Sequence, residues 1–416
     1  MPRGRNNRGR GRGREGGEDR GGWIPPLPGH LGAGAGAGAG RRRLPFRPLA
    51  ALAAAAAAAA AVVALRMVLV TIRLLPPSSV AGPPRPDWSL RCGTGSGAGA
   101  GDWDAPVLPD GALLVPVRWH REPYVMAVHS EGDVVSEKIA REGAWEIRIT
   151  RMILGALDGA GGGGGGGSPS LMIDVGANIG WFTAYMAAAG HDVIAIEPFG
   201  LNTPLLMHTL CRPEPPELAG RVRAYRVALS DPAGAGRTMC LRSTSPEANR
   251  GNAQMVAAAD GNGDGNGDGG GEREGCQERI RTATLDGLLF EEPHGPGLVR
   301  RPAVIKMDIE GYETRAVLGA GNLFSSLPPC YVFFEHQPEA SRATGVPDYE
   351  IFRLLEGYGY EIYDAGAFLR VRPPGEGEGG GLYPTRVGMG MDYFALLPES
   401  DFCGGMRPLV VASSQS

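Results

Sequence analysis

The sequence predicts a doubly wound α/β domain with a mostly parallel sheet, preceded by a disordered arm and a single apolar helix. Three observations carry that expectation. Leu171-Met-Ile-Asp174 is a short apolar run closing on a carboxylate, and Gly176, Asn178 and Gly180 follow as turn-formers before an Ala-rich apolar run. That order reads as a buried strand, a tight turn and the start of a helix. His191 to Glu197 repeats the pattern, a second apolar run that closes on an acid, and strand-like and helix-like runs then alternate as far as Leu397.

The elements follow in chain order. Residues 1–48 are dominated by Arg, Gly and Pro, cannot bury enough apolar surface to fold, and are expected to be disordered. Leu49 to Ile72 is apolar apart from Arg66 and Thr71. As a helix rising about 1.5 Å per residue it would run about 36 Å, enough for a hydrocarbon core of about 30 Å. Arg41, Arg42, Arg43 and Arg47 keep the N-terminal side cytoplasmic by the positive-inside rule, which predicts a single-pass type II membrane protein of the secretory pathway with its domain in the lumen. An Arg- and Ala-rich plastid or mitochondrial targeting peptide is the competing reading. Residues 73–111, rich in Pro, Gly and Ser, are expected to form a stem.

The α/β domain is placed at 112–400, with low-complexity insertions near 161–167 and 245–275, and a tail at 401–416. Within it, Val222 to Ala228 reads as a third strand and Leu229-Ser230-Asp231 as the turn after it. Arg281 to Asp286 is a further β-branched and apolar run. Ala303 to Ile309 reads as a fourth core strand, with a helix through about Leu318. Tyr331 to Glu335 is a fifth strand, Tyr349 to Leu355 has helical spacing, and Asp392 to Leu397 closes the sheet.

Two neighbouring parallel strands that each end in an acid, with glycines between them, make a pocket for an adenosine-bearing ligand. A dinucleotide site would offer G-x-G-x-x-G facing a pyrophosphate. Here the turn is D-x-G-x-N-x-G, with an acid where a diphosphate would be repelled. S-adenosyl-L-methionine has no phosphate and carries a sulfonium and an ammonium, so Asp174 suits it. On this reading Gly176, Ala177, Asn178 and Gly180 shape the turn under the methionine part. Glu197 takes the ribose hydroxyls, and the turn from Ala228 through Ser230 borders the adenine. An ordinary β-α turn is the bland alternative for the glycines, and the paired acids weigh against it.

The resemblance to a known family is specific at this point. Asp174 to Gly180, Val227-Ala-Leu-Ser-Asp231, Thr284-Leu-Asp286, Ile305-Lys-Met-Asp-Ile-Glu-Gly-Tyr-Glu313 and Phe334-Glu-His336 resemble the successive motifs of the FkbM-type methyltransferases. Upstream, Val134-Val-Ser136 and Gly143-Ala-Trp-Glu146 are similar to that family's leading segment. The likeness covers roughly Leu113 to Leu397. It implies the Rossmann-like fold of the class I methyltransferases and S-adenosylmethionine-dependent O-methylation of a hydroxyl on a sugar, a lipid or another small molecule.

Methyl transfer to an alcohol calls for a base within hydrogen-bond reach, because an alcohol is scarcely ionised at neutral pH. Asp308, which also borders the cofactor, Glu310 and His336 are the candidates, with Lys306 placed to hold or polarise the acceptor. Each has a bland alternative. Asp308 and Glu310 fit as first-turn acids on the following helix dipole, Lys306 as the partner of one of them, and His336 as the end of a strand. Carboxylates near the methyl donor could hold Mg²⁺ together with waters, but no ligand spacing in the sequence assigns a metal site. Cys92, Cys211, Cys240, Cys276, Cys330 and Cys403 form no zinc pattern and are too sparse for a disulfide scaffold, although a lumenal domain allows some pairing. Cys211 and Cys330 read as core residues.

The net charge is −4, and the basic arm leaves the remainder distinctly acidic, which argues against nucleic acid as the main partner. The expected partners are a small-molecule or glycan hydroxyl acceptor and, through the N-terminal helix, a membrane. The alternatives are an RNA or protein methyltransferase recruited by the Arg/Gly arm, and a scaffold that keeps the fold without catalysis. A nicotinamide oxidoreductase is disfavoured by the glycine spacing.

Overall fold

The structure, a computed structural model, describes residues 89–92, 102–103, 108–160, 169–212, 217–243, 249, 252–257, 276–291, 300–347, 349–371, 391–398 and 403. The expected arm, the expected span at 49–72, the insertion at 161–167 and residues 404–416 lie outside these, whereas the insertion expected near 245–275 is described at 249 and 252–257, where Ala253–Ala257 forms a strand rather than a loop. Among the described residues no helix is long and apolar enough to cross a membrane.

The strands, in chain order, are β1 (Ser89–Cys92), β2 (Asp102–Trp103), β3 (Ala112–Val117), β4 (Tyr124–His129), β5 (Leu171–Val175), β6 (Asp192–Ile196), β7 (Val222–Tyr225), β8 (Ala228–Leu229), β9 (Thr238–Ser243), β10 (Ala253–Ala257), β11 (Glu278–Ala283), β12 (Val304–Met307), β13 (Tyr331–His336), β14 (Glu361–Asp364), β15 (Arg370–Val371) and β16 (Met391–Leu396). The α-helices are α1 (Val134–Glu142), α2 (Ile147–Ala160), α3 (Trp181–Ala188), α4 (Thr203–Leu210), α5 (Leu285–Phe290), α6 (Glu313–Leu318), α7 (Gly321–Ser326), α8 (Pro338–Ala343) and α9 (Glu350–Gly357).

Ten strands form the main sheet in the order β15-β14-β16-β13-β12-β5-β6-β7-β1-β2. The five central strands β13, β12, β5, β6 and β7 run parallel, while β16 inserts antiparallel between β13 and β14. The chain order reverses between β5 and β12, and that switch point opens a crevice at the strands' carboxyl ends. Side chains alternate across each central strand. Met172 and Val304 enter the core that holds α2, α3 and α4, whereas Ile173, Val175, Ile305 and Met307 enter the core that holds α5, α6 and α9. The expected doubly wound α/β fold is present. β8, β9, β10 and β11 make a separate four-stranded sheet beside it, and β3 pairs with β4.

Several expectations need correction. The third strand ends at Tyr225, and Ala228–Leu229 leaves the main sheet to pair with β11. The β-branched and apolar run at Arg281 to Asp286 divides into the end of β11 at Ala283 and the start of α5 at Leu285. Thr284 there caps α5, its hydroxyl accepting the Gly287 N–H at 2.9 Å. Part of the expected stem belongs to the domain, because Ser89–Leu90 pairs antiparallel with β7. The cysteines are also paired, as Cys92–Cys211, Cys240–Cys276 and Cys330–Cys403. They lie 119, 36 and 73 residues apart, so only the folded sheet brings them together.

Cys330 and Cys403 are buried and close a loop of 73 residues. Replacing both with alanine is expected to lower stability by about 2–4 kcal/mol in denaturant titration under non-reducing conditions, with β16 the first strand to lose amide protection.

Candidate active site

The cleft begins with the turn after β5. Gly176, Asn178 and Gly180 all adopt positive φ, at 81°, 52° and 93°. The Gly176 and Ala177 N–H groups donate to the Ile196 carbonyl at 2.9 and 3.1 Å, which ties the turn to the end of β6. A Cβ on Gly176 would stand 1.9 Å from the Asp308 carbonyl oxygen, so only glycine fits where the β5 turn passes the end of β12. Asn178 tolerates its left-handed backbone partly because its side-chain oxygen accepts the Ile179 N–H at 2.7 Å.

Beneath this turn Asp174 and Lys306 are register partners on β5 and β12 and face the same side of the sheet. The Lys306 ammonium donates to the Gly176 carbonyl at 3.2 Å and to Asp308 at 3.3 Å, and it lies 3.9 Å from Asp174. It also sits 5.0 Å from the centre of the Phe182 ring. Burial opposes its charge, but Asp308, Asp174 and Glu146 outweigh burial and hold its pKa above the ordinary lysine value. Lys306 is therefore a permanent cation. Asp174 is fully buried and accepts the Thr183 hydroxyl at 2.6 Å. Burial pushes its pKa up, against the pull of Lys306.

Glu197 follows β6. One carboxylate oxygen accepts from the Phe199 N–H at 2.9 Å and the Asn202 amide at 3.3 Å, and the other accepts the Asn178 N–H at 2.8 Å. The second oxygen keeps a lone pair beside the cleft. Burial raises this carboxyl to about 7 despite those donors.

Across the cleft, Asp308, Glu310 and Glu335 bring carboxylate oxygens within 4.8 Å of one another, a spacing at which they could also share a cation. Glu310 has a φ of 55°. The Gln337 amide nitrogen donates to Glu310 at 2.9 Å and to Glu335 at 2.8 Å. Burial, then the neighbouring acids, raise Glu310 to about 7 and Glu335 to about 10, so Glu335 stays protonated at neutral pH.

These groups line one cavity of about 240 Å³. Val227, Ala228 and Leu229 give it an apolar wall, and Asn249, Asn252, Ala253 and Met255 extend over it from the smaller sheet. Trp145 and Glu146 close the remaining side. Glu146 precedes α2 with a φ of 39°, and burial followed by Asp308 and Asp392 raises its carboxyl to about 7.

Gly176, Ala177, Asn178, Glu197, Lys306, Asp308 and Glu310 line the cleft as expected from sequence. Four predicted residues do not. Asp174 lies under the floor, separated from the cavity by Lys306. Gly180 starts α3, with Leu206 packed so close that a Cβ would meet it at 2.5 Å. Ser230 turns away, its N–H donating to Ala283 and its hydroxyl lying against Gly234. His336 packs edge-on against Phe352 and Tyr393 in the second core, at ring distances of 5.0 and 6.3 Å. Trp145, Glu146, Asn249, Asn252 and Gln337 were not predicted. Only Trp145 and Glu146 left a trace, as neighbours within the Gly143-Ala-Trp-Glu146 segment.

Residues 174–362 match the methyltransferase FkbM domain. No curated protein matches the chain. Among solved structures, methyltransferase FkbM from Methylobacillus flagellatus is 18% identical, with 55% of this chain and 44% of that chain covered and a TM-score of 0.30. The chain thus spans less than half the length of that protein. Magnesium protoporphyrin IX methyltransferase from Synechocystis, with S-adenosylmethionine bound, is 12% identical over 63% and 83% of the two chains, with a TM-score of 0.29. A TehB-like methyltransferase from Corynebacterium glutamicum is 10% identical over 63% and 93%, with a TM-score of 0.30.

Two outcomes follow from this geometry. Gly176→Ala is expected to cost about 3 kcal/mol, from positive-φ strain and overpacking, and to close the cleft; thermal unfolding and ligand titration read both effects. Glu146, Glu197 and Glu310 have folded pKa values near 7 against an ordinary 4.5. The folded state therefore binds protons more tightly, and the ligand-free protein is expected to lose stability as pH rises from 4.5 to about 7, measured as a falling Tm.

Proposed function

We propose that the protein transfers the methyl group of S-adenosylmethionine to a hydroxyl on a small polar acceptor such as a sugar, from an N-terminal membrane anchor and on the lumenal side. The observation that carries the reading is one cleft holding both halves of the chemistry. The glycine turn and Glu197 lie on one side, and Asp308, Glu310 and Glu335 lie opposite.

The residues present fit this donor. The cradle at Gly176 admits no Cβ, and Glu197 keeps an acceptor lone pair where ribose hydroxyls donate. Val227 to Leu229 offer an apolar wall to a purine. The Asn249 and Asn252 side-chain oxygens are buried without partners in the protein, ready to accept from a ligand N–H. When bound, S-adenosylmethionine supplies an electrophilic methyl on a sulfonium. The chain's own residues hold the donor's ribose, keep water out under the strands of the smaller sheet, and place acids where the acceptor's proton leaves. Lys306 is no base, because its neighbours hold it protonated; its work is to fix the turn and neutralise Asp174 and Asp308. Asp308 and Glu310 both reach the cleft, and His336 does not.

The lumenal placement draws support from the disulfides. Three bridges that use all six cysteines fit a chain matured in an oxidising compartment. The apolar, Arg-flanked segment at Leu49 to Ile72 supplies the anchor of this proposal.

Titration of the full chain with S-adenosylhomocysteine is expected to release heat, and Glu197→Ala to weaken that binding roughly tenfold to a hundredfold, the worth of charge-assisted hydrogen bonds. Absence of heat from the native chain would end the donor assignment.

A further inference from the structure

The cleft does not stop at Glu146. It shares Glu146, Lys306, Asp308 and Glu335 with a narrow cavity of about 20 Å³. That cavity in turn shares Glu146, Ile149 and Asp392 with an open basin of about 250 Å³ between α1, the start of α2 and the start of β16. Glu146 is common to all three spaces. Asp392 stands opposite Glu335 in the β13–β16 register, so the basin abuts the strand tip that lines the cleft.

We propose that this basin is the acceptor subsite, that it takes an uncharged polyhydroxylated ring such as a pyranose, and that Glu146 receives the proton of the reacting hydroxyl. The inference rests on the methyltransferase reading above and specifies its acceptor side.

The lining argues for that ligand class. Lys138 and Arg148 face Glu142, Glu146 and Asp392, a mixed set of donors and acceptors. A phosphate backbone would want a cationic surface, and an acyl chain would want an apolar one; this basin is neither. Trp145 rims the cleft beside it, with the Lys138 ammonium 5.5 Å from the ring centre. A flat ring next to paired charges suits a sugar's alternating C–H and O–H faces.

The backbone of Glu146 points the same way. Its positive φ is uncommon outside glycine, and it is kept where its carbonyl accepts the Thr150 N–H at 2.9 Å to start α2. Asp308 and Lys306 on the β12 side, Asp392 on β16 and Lys138 on α1 are the charges that act on it, and together with burial they hold its carboxyl at about 7. A base of that strength is ionised enough to accept a proton at neutral pH. In the balanced step, the hydroxyl proton goes to Glu146 as the oxygen–methyl bond forms and the methyl–sulfur bond breaks. The products are the methyl ether, S-adenosylhomocysteine and a protonated Glu146.

The experiment uses the full chain with S-adenosylhomocysteine and a panel of methyl pyranosides (gluco, galacto, manno, fuco and xylo), read by saturation-transfer NMR. At least one glycoside is expected to bind, and Asp392→Asn and Lys138→Ala each to weaken it about tenfold while S-adenosylhomocysteine affinity is unchanged. With that glycoside and labelled donor, Glu146→Gln is expected to lower kcat about a hundredfold with KM little altered, and to remove the rise in rate through about pH 7. Glycoside binding indifferent to both basin substitutions, or full turnover in Glu146→Gln, overturns the proposal. If S-adenosylhomocysteine binds and no glycoside does, the acceptor assignment alone falls. If S-adenosylhomocysteine fails to bind, the donor reading falls and takes the acceptor with it.

Discussion

The site depends on one buried ammonium. Lys306 occupies the switch point of the sheet, where it meets the Gly176 carbonyl from one strand's turn and the Asp174 and Asp308 carboxylates from both strands. Six acids lie around this cleft: Asp174 below it, and Glu146, Glu197, Asp308, Glu310 and Glu335 along its walls. Without an interior cation, desolvation would leave most of them protonated or drive the walls apart. With it, Asp174 tolerates complete burial and Asp308 is anchored facing the cavity. The glycine turn is held down by its own carbonyl. The shape of the glycine turn and the charge of the facing wall therefore share a single support.

The acids around that cation divide their labour by environment. Glu335 is pushed to about 10 and remains a neutral donor or spacer at physiological pH. Glu146 and Glu310 sit near 7, where a proton is gained or lost at small cost. Glu197, at a similar value, lies on the opposite wall, tied by backbone donors that orient it. Carboxyls of one chemical kind are thus spread over several pH units by burial and mutual repulsion.

Much of this was legible in the chain. The turn at Gly176 to Gly180 announced itself because positive φ leaves few residue types to choose from, and strands closing on acids at Asp174, Glu197 and Asp308 located the rim. The misreadings have physical causes. Linear sequence does not reveal that Lys306 is the cross-strand partner of Asp174, which puts that carboxylate beneath the cleft instead of against the donor. Ser230 was placed at the adenine because nothing local marks the break after Tyr225 that sends Ala228–Leu229 to another sheet. His336 follows Glu335 on one strand, and with a period of two only one of them can face the cleft. The covering asparagines belong to a biased stretch with no readable periodicity. The disulfides join residues far apart in sequence, which spacing alone does not pair.

The Cys92–Cys211 bridge fastens β1 to the end of α4 at the margin of the main sheet, with β6 and β7 between it and β5. Whatever lies upstream of Ser89 thus joins the body through a covalent rivet roughly 14 Å, or three strand spacings, from the switch point. A pull on the chain ahead of Ser89 would load the flank of the sheet first, at a distance from the strand tips that line the cleft.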